Sequence, residues 1–534
     1  MLDGGTGSRR RVAIALGVLG AATIGLWLTR PLVISGDGVG YIKRLLTPRF
    51  DVIPGHLVYI PFLEWLRNVL TPSGGHSEAA AVATAVSAVG AGVACACLCA
   101  LTTRLTRNVL SGLVAAAGLC VSYGFYRASG DVEAYSLAVA VLTGLALVSL
   151  RRDDEAKRGW ITALVAGLLL AFATLLHTSL VLITPFVLFA AWRSTGSWLK
   201  AGATVAIGGA VSLACFLWMS MGVLGHDLGG FVSWLQTSDN GYAQAPALSL
   251  TFLSQNAGRL FYGVGRSLIH SPASDRLGAD VAFRLSLIGI TYFGLVAAVT
   301  IVGLRVVPRE SRRPLWPLWV WVLPLLVFSF FFFPAATERW VMILPCFWLA
   351  VAVALTAVRR GRVAWAIAAL VLAVPLVTNV VTVTREREID RRTLERSRAI
   401  STLLRRGDLL LYPGHTWDEY IGFYETVPVE RFILASFAGE EQGDAGALFA
   451  RMHRRIEATH GRGGRVFAVR VFEPSDSHHG WSLLRSMDIL RDDVLAQLVR
   501  YEVDQVLEEP VGVWELRPPD VVAEASQQGR ARHP

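Results

Sequence analysis

The sequence predicts a polytopic α-helical membrane protein of about eleven transmembrane helices, followed by a small C-terminal α/β domain outside the cytoplasm. Of its 534 residues, 53% are hydrophobic and only 17% are charged, whereas about a quarter of the residues of a soluble protein are charged. Residues 12–384 consist of apolar runs separated by short charged gaps. After Arg385 the composition becomes that of an ordinary soluble domain. This change marks the main domain boundary.

Each predicted span is an apolar stretch of the length that a bilayer requires, about 20 residues. Two of the stretches are short and adjoin at His177. A single bent helix there would reverse the topology of everything that follows. The predicted spans are 12–29, 78–102, 109–126, 132–150, 160–176, 178–192, 201–223, 281–305, 314–333, 340–357 and 362–384.

Loop charges decide between eleven spans and ten. Basic residues are enriched in cytoplasmic loops, and the N-terminus carries Arg9, Arg10 and Arg11. With eleven spans, all the loops on the side of the N-terminus are basic. The short loops on the opposite side contain only two basic residues, Arg127 and Arg339. The sequence therefore predicts a multi-pass plasma-membrane protein with a cytoplasmic N-terminus and an extracytoplasmic C-terminal domain.

Three regions follow from this pattern: a membrane domain at 1–384, an extracytoplasmic α/β domain at 385–518, and a polar, disordered tail at 519–534. Strand-like and helix-like pieces alternate in the second region, which is typical of an α/β domain. The predicted strands are 409–412, 431–434, 465–471 and 511–516. The predicted helices are 416–424, 444–459 and 488–500.

Two function classes are disfavoured by composition. The net charge is +9, but the arginines cluster between apolar runs, where membrane orientation explains them better than binding to nucleic acid. Cys95, Cys97 and Cys99 occupy different faces of a helix and have no histidine nearby. We therefore interpret them as small packing residues rather than metal ligands.

Ionisable residues gather at the predicted outer ends of the helices. Asp37 lies in 35–43 (SGDGVGYIK), and Asp131 and Glu133 lie in 130–138 (GDVEAYSLA). His177 and the Glu338–Arg339 pair follow at later helix ends. Each one alone is equally well explained as a capping or snorkelling residue, and Asp131 could cap a helix starting near Val132. Six of them from separate loops favour a functional site.

Residues near Asp37 suggest a ligand. The glycines of Ser-Gly-Asp-Gly allow a tight turn and a close approach of the backbone to a bound molecule. Lys43 and Arg44, one turn later, and His56 are candidates for binding a phosphate. Lipid head groups are an equally good explanation for Lys43 and Arg44.

The order of these motifs resembles the GT-C glycosyltransferases, specifically the protein O-mannosyltransferase-like membrane proteins. The resemblance covers roughly residues 12–384. The matching motifs are Asp37 in SGDGVGY, 54–61 (PGHLVYIP), 133–137 (EAYSL), 176–178 (LHT), and Glu338–Arg339 before Pro345.

This resemblance implies an inverting transfer of a sugar, a hexose such as mannose, from a polyprenyl-phosphate donor to an extracytoplasmic protein, lipid or glycan. Asp37 or Glu133 would be the general base. Arg339 would bind the donor phosphate, with Lys43 and His56 as further phosphate ligands. The residues expected to position substrate are Asp131, Tyr135, His177 and Glu338.

The resemblance leaves a metal requirement open, because some relatives need a divalent cation and others do not. Mg²⁺ or Mn²⁺ could bind Asp37 with Asp131 or Glu133 through hard oxygens. The main alternative function is a transporter or lipid flippase, which should place charges near mid-membrane. A scaffold that recruits partners, and a polysaccharide polymerase or ligase, are further alternatives.

Overall fold

The computed structural model divides the chain into two compact units, Met1–Glu386 and Arg387–Pro534. The predicted boundary lies two residues earlier. The residues that the structure describes are 4–46, 54–72, 75–150, 159–237, 249–269, 279–307, 315–332, 334–356, 361–414, 429–441, 443–473, 479–508 and 512–519.

Helices form the first unit because a chain in hydrocarbon has to satisfy its backbone hydrogen bonds internally. Two short 3₁₀ segments, Pro54–His56 and Thr178–Ile183, interrupt the sequence of helices. The helices are α1 Gly4–Thr29, α2 Gly36–Leu46, α3 Tyr59–Leu70, α4 His76–Thr106, α5 Val109–Val121, α6 Tyr123–Gly130, α7 Tyr135–Ser149, α8 Trp160–Leu176, α9 Thr184–Thr195, α10 Trp198–Leu217, α11 Leu228–Thr237, α12 Leu250–Leu268, α13 Ala279–Val306, α14 Trp316–Phe331, α15 Thr337–Val341, α16 Leu344–Leu355 and α17 Gly361–Leu403.

The membrane helices coincide with the predicted spans. Six of the described helices are long and apolar enough to cross a membrane, and the bent pair α5–α6 makes a seventh candidate. Four shorter apolar helices of 10–17 residues, α7, α8, α14 and α16, account for the remaining predicted spans. The predicted fold class, a polytopic helical membrane protein, is confirmed. His177 adopts an extended backbone and separates α8 from Thr178–Ile183, so the chain breaks where two short spans were predicted to adjoin.

The predicted span 109–126 differs from the structure, because it is not one straight helix. The axes of α5 and α6 meet at 68°. Ser122 has an extended backbone at the break, and its hydroxyl donates to the Gly118 carbonyl at 2.8 Å while accepting from Trp348 Nε1 at 2.8 Å. A buried tryptophan therefore fixes the bend through a hydrogen bond.

Helix α4 packs against α1, α5 and α7 at the centre of the bundle. Small residues allow these close contacts, as is usual between membrane helices. A Cβ on Gly92 would lie 2.1 Å from Thr23 Oγ1 of α1, and one on Gly112 of α5 would lie 2.1 Å from Thr103 Oγ1 of α4. Cys95 and Cys99 are buried in the same helix, in agreement with a packing role.

The second unit is built on a five-stranded sheet with the order β2-β1-β3-β5-β4. β1 runs parallel to β2 and β3, whereas β5 is antiparallel to β3 and β4. Apolar clusters cover both faces of the sheet. The strands are β1 Leu409–Tyr412, β2 Glu430–Ile433, β3 Val466–Val469, β4 Glu502–Leu507 and β5 Val513–Arg517, and the helices are α18 Leu434–Glu440, α19 Ala445–Gly461, α20 His479–Arg485 and α21 Arg491–Leu498.

The sequence predicted most of this unit, but not the edge strand β4 or the short helices α18 and α20. β1 has its predicted bounds, and β2, β3, β5, α19 and α21 lie within a few residues of theirs. The edge strand β4 was not predicted, because most of its side chains are exposed and several are charged, which removes the apolar pattern of a buried strand. The predicted helix 416–424 lies outside the described residues, as does almost all of the predicted tail.

Candidate active site

The polar residues predicted to form a site meet at one end of the first unit, where α1, α6 and α8 end and α7 and α15 begin. Asp131 connects two of the predicted loops. Both of its carboxylate oxygens accept from the Ser35 backbone N–H, at 2.9 and 3.0 Å, and one also accepts from the Val132 N–H at 2.8 Å. Arg127 lies 3.4 Å away. Helix α7 begins at Tyr135, so Asp131 holds the first loop instead of capping a helix that starts near Val132.

The first loop fits closely against Asp131 because of its glycines. A Cβ on Gly38 would lie 3.0 Å from Asp131 Oδ1 and 3.2 Å from Val132 Cβ. The Gly38 N–H donates to Ser35 Oγ at 3.0 Å, which closes the turn. Asp37, between these residues, is exposed in the first turn of α2, where the helix dipole stabilises a negative charge.

Glu133 is a half-buried carboxyl of the site. Ser35 Oγ lies 3.4 Å from its Oε1, and Ser87 donates to its backbone carbonyl at 3.3 Å. Burial raises the pKa of Glu133 well above its ordinary value, and the negative charges of Asp131, Asp37 and Glu338 raise it further. Its surroundings therefore favour the protonated form of Glu133, whereas Asp37 faces solvent.

Aromatic rings line the space beside these carboxyl groups. Tyr41 lies with its ring centroid 5.7 Å from that of Tyr59 and 5.8 Å from that of His56. His177 lies 5.0 Å from His56 and 5.1 Å from Tyr135. Tyr135 and His177, both predicted to position substrate, are thus in contact with each other.

Arg339 lies against this aromatic group. Its Nη1 donates to His177 Nε2 at 3.4 Å, and its guanidinium carbon lies 5.6 Å from the Phe328 ring centroid. Its Nε is buried and has no hydrogen-bond partner in the described part of the chain. A buried donor without a partner costs free energy, so this guanidinium is suited to an anionic ligand. The neighbouring Glu338 is exposed.

The other predicted phosphate ligands lie in two places. His56 donates from Nδ1 to the Leu176 carbonyl at 3.0 Å, and the positive charge of Arg44 acts on its ring together with that of Arg339. The charge of Lys43 acts instead on His76, at the start of α4. Of the basic pair in α2, Arg44 is therefore the residue whose charge reaches His56.

The carboxyl groups considered for a divalent cation differ in their surroundings. Among the described residues, no group of three or more His, Cys, Asp or Glu side chains has the geometry to hold a metal ion. Both oxygens of Asp131 already accept from backbone N–H groups, and Glu133 is half-buried. Asp37 is exposed, and a hard cation prefers several charged oxygens, so a metal requirement stays a prediction.

Several site residues were not predicted. Ser35 contacts Glu133, Tyr41 contacts His56, and Tyr59 packs against Tyr41. Ser179 Oγ lies 2.7 Å from His177 Nδ1. Ser35 and Tyr41 belong to the SGDGVGY motif, so their closeness to Asp37 in the sequence could have identified them as site residues. Tyr59 lies in an apolar stretch, and nothing in the sequence marks it as a site residue. His415, Asp418 and Glu419, considered in the sequence, lie outside the described residues.

No protein-family model matches the chain, and no curated protein matches it in sequence. Solved structures do match. ArnT from Cupriavidus metallidurans bound to undecaprenyl phosphate has a TM-score of 0.55 at 12% identity, over 96% of this chain and 98% of its own. Apo ArnT has a TM-score of 0.57 at 11% identity, over 95% and 97%. An Archaeoglobus fulgidus oligosaccharyltransferase complex with zinc and sulfate has a TM-score of 0.48 at 12% identity, over 95% and 73%.

These two ArnT structures show the fold of the chain. ArnT is a GT-C glycosyltransferase, and both comparisons span almost the full length of each chain. The chain therefore has the GT-C fold, as the resemblance of its motifs implied.

Proposed function

We propose that this GT-C chain is an integral-membrane glycosyltransferase that takes its sugar from a polyprenyl-phosphate donor. The observation that carries the proposal is the arrangement at one end of the helices. The charges of Asp37, an exposed carboxylate, and of Arg339 both act on His56. Arg339 also has a buried donor without a partner among the described residues. A base and a phosphate-binding cation are the two groups that this reaction needs.

Asp37 is the better candidate for the general base. A base has to be ionised before it can take a proton. Glu133 is half-buried, and its raised pKa favours the protonated form, whereas Asp37 is exposed at a helix N-terminus. In this proposal Glu133 positions substrate as a neutral hydrogen-bonding group.

Arg339 is the candidate for the donor phosphate. A guanidinium can bind two phosphate oxygens at once and keeps its charge at every physiological pH. His177 accepts from Nη1, which orients the fork and leaves the Nε donor available. The undecaprenyl phosphate bound by ArnT has the same phosphate chemistry.

The proposed step forms one bond and breaks another at the anomeric carbon. The acceptor hydroxyl oxygen attacks this carbon while Asp37 takes the hydroxyl proton. The bond from the anomeric carbon to the phosphate oxygen breaks, and its electron pair leaves with the polyprenyl phosphate, whose charge Arg339 stabilises. Attack on the face opposite the leaving group inverts the anomeric centre.

Sugar, acceptor and location follow the sequence-based predictions. We propose a hexose such as mannose as the transferred sugar, and an extracytoplasmic protein, lipid or glycan as its acceptor. From the basic loops we infer a cytoplasmic N-terminus. The site would then open to the outer leaflet of the plasma membrane, where a lipid-linked donor can enter from the bilayer.

Transfer of radiolabelled sugar tests the proposal. The purified chain, reconstituted in lipid vesicles, is given a panel of undecaprenyl-phosphate-linked sugars together with cell-envelope extract as the source of acceptor. We expect label to leave the lipid fraction with wild type. Asp37→Asn should reduce transfer about 10²- to 10⁴-fold, the contribution of a general base. Asp492→Asn, at an exposed acid of the second unit, is the matched control and should transfer normally.

Two results would contradict this assignment. Equal transfer by wild type and Asp37→Asn would remove Asp37 from catalysis. A wild-type protein that moves intact donor lipid between leaflets but releases no polyprenyl phosphate would favour the flippase alternative. The gathering of charged groups at helix ends supports the transferase instead.

A further inference from the structure

His56 occupies a position from which it can contact a substrate. It ends the 3₁₀ segment Pro54–His56, and its ring meets those of Tyr41 and His177 edge to face. The ring is partly accessible. Within the described part of the chain, its one hydrogen bond joins Nδ1 to the Leu176 carbonyl.

This hydrogen bond fixes which ring nitrogen carries the proton. A carbonyl oxygen can only accept, so Nδ1 of His56 has to be the N–H nitrogen. Burial lowers the pKa of His56, and the charges of Arg339 and Arg44 lower it further, against the Leu176 hydrogen bond and Asp37. The ring is therefore neutral, and its Nε2 carries a lone pair.

His177 has the same tautomer as His56, but its Nε2 lone pair already accepts a hydrogen bond. Arg339 can only donate, so His177 Nε2 accepts, and Nδ1 donates to Ser179 Oγ at 2.7 Å. The lone pair of His177 is thus occupied. In the described part of the chain, the Nε2 lone pair of His56 has no such partner, and it lies beside the same aromatic group.

A neutral imidazole with an open lone pair does not suit a phosphate. Phosphate oxygens are acceptors, and they need a donor opposite them. A hydroxyl group can donate to a lone pair, and both a sugar and its acceptor carry hydroxyls. The sequence predicted that His56 binds the donor phosphate. The tautomer favours a hydroxyl group as its partner instead.

We propose that His56 Nε2 accepts a hydrogen bond from a substrate hydroxyl at the active site. This inference rests on the proposed transferase function. The hydroxyl belongs either to the sugar of the donor or to the acceptor. His56 is then a binding residue for the hydroxyl-bearing substrate, while Arg339 binds the phosphate.

Two substitutions separate this role from a purely structural one. His56→Asn places an amide N–H near the position of Nδ1 and can keep the bond to Leu176, but it has no acceptor at the position of Nε2. His56→Gln places its amide oxygen near Nε2 and loses the bond to Leu176. Substrate binding predicts that Gln retains more activity than Asn, whereas a structural role predicts the reverse order.

The measurement is kcat/KM for sugar transfer by wild type and both variants, with thermal unfolding as a check on folding. We expect His56→Asn to lose about tenfold, the upper range for one uncharged hydrogen bond, and Gln to lose less. A rise in the donor KM identifies the sugar hydroxyl, and a rise in the acceptor KM identifies the acceptor hydroxyl. Either one supports the proposal. Equal activity in all three proteins, or Asn at or above Gln, overturns it while leaving the transferase proposal intact.

A second measurement needs no variant. Imidazole ¹⁵N NMR of the wild-type protein reports which nitrogen carries the proton, and we expect Nδ1 to be protonated and Nε2 bare at neutral pH. The Nε2 resonance should shift on saturation with donor or acceptor, and a protonated Nε2 would overturn the inference. A wild-type protein that transfers no sugar overturns the proposed function and this inference with it.

Discussion

At the scale of single residues, the site separates two carboxyl groups by their surroundings. Glu133 and Asp37 lie on segments that Ser35 joins, yet one is half-buried and the other is exposed. Carboxyls whose environments push their pKa values apart can take different roles in one reaction. The sequence could nominate both residues. It could not rank them, because burial depends on the packing of loops almost a hundred residues apart.

Glu133→Gln tests this division of roles. Glutamine resembles the protonated carboxyl in shape and charge, so we expect sugar transfer within a few-fold of wild type, in contrast to the large loss in Asp37→Asn. A loss as large as that of Asp37→Asn would make Glu133 the base. Radiolabelled transfer by the two variants, measured side by side, decides the question.

The same substitution should change how stability depends on pH. Between the ordinary pKa of 4.5 and the raised folded value, native Glu133 holds a proton that the unfolded chain has released. Stability therefore falls as pH rises through this window. Thermal unfolding of wild type and Glu133→Gln between pH 5 and 8 should show a difference in Tm that grows with pH in favour of the variant. A constant difference would mean that Glu133 is already ionised.

At the scale of elements, apolar length predicted where the helices lie but not how they bend. Residues 109–126 have the length and composition of one span, and nothing local marks Ser122 as a break. The break depends on Trp348, more than two hundred residues away in sequence, which donates to Ser122 and occupies the space above Gly118. Such a contact becomes visible only when the helices are assembled.

Gly118→Ala tests whether this contact matters for the fold. A Cβ there would lie 2.2 Å from the Trp348 ring, so the ring or the helix has to move. We expect a loss of about 1–3 kcal/mol in the free energy of unfolding, as for other overpacked sites. Gly144→Ala in α7 is the matched control, because nothing lies within 4 Å of its Cβ, and it should be neutral or slightly stabilising. Equal stability of the two variants would show that the tryptophan adapts freely.

At the scale of the whole molecule, hydropathy and loop charge were enough to predict the fold class. The described helices occupy the predicted spans. The bilayer thickness sets the length of a span, and the lack of water in the bilayer requires each span to satisfy its backbone hydrogen bonds as a helix. The gathering of polar residues at one end was also predictable, since alternate helix ends lie on one side. Their contacts were not, because pairs such as Arg339 and His177 are fixed by packing between distant helices.

The orientation of the molecule is the prediction on which the donor's route depends. If the N-terminus is cytoplasmic, Arg305 at the end of α13 faces the cytoplasm and Asp492 of the second unit faces outside. Both side chains are exposed, so each position replaced by cysteine should react with a maleimide reagent that cannot cross membranes. In intact cells we expect Asp492→Cys to be labelled and Arg305→Cys to be labelled only after permeabilisation. The wild-type chain, whose six cysteines lie within apolar helices, gives the background. The reverse pattern would place the site in the cytoplasm and exclude a donor that enters from the outer leaflet.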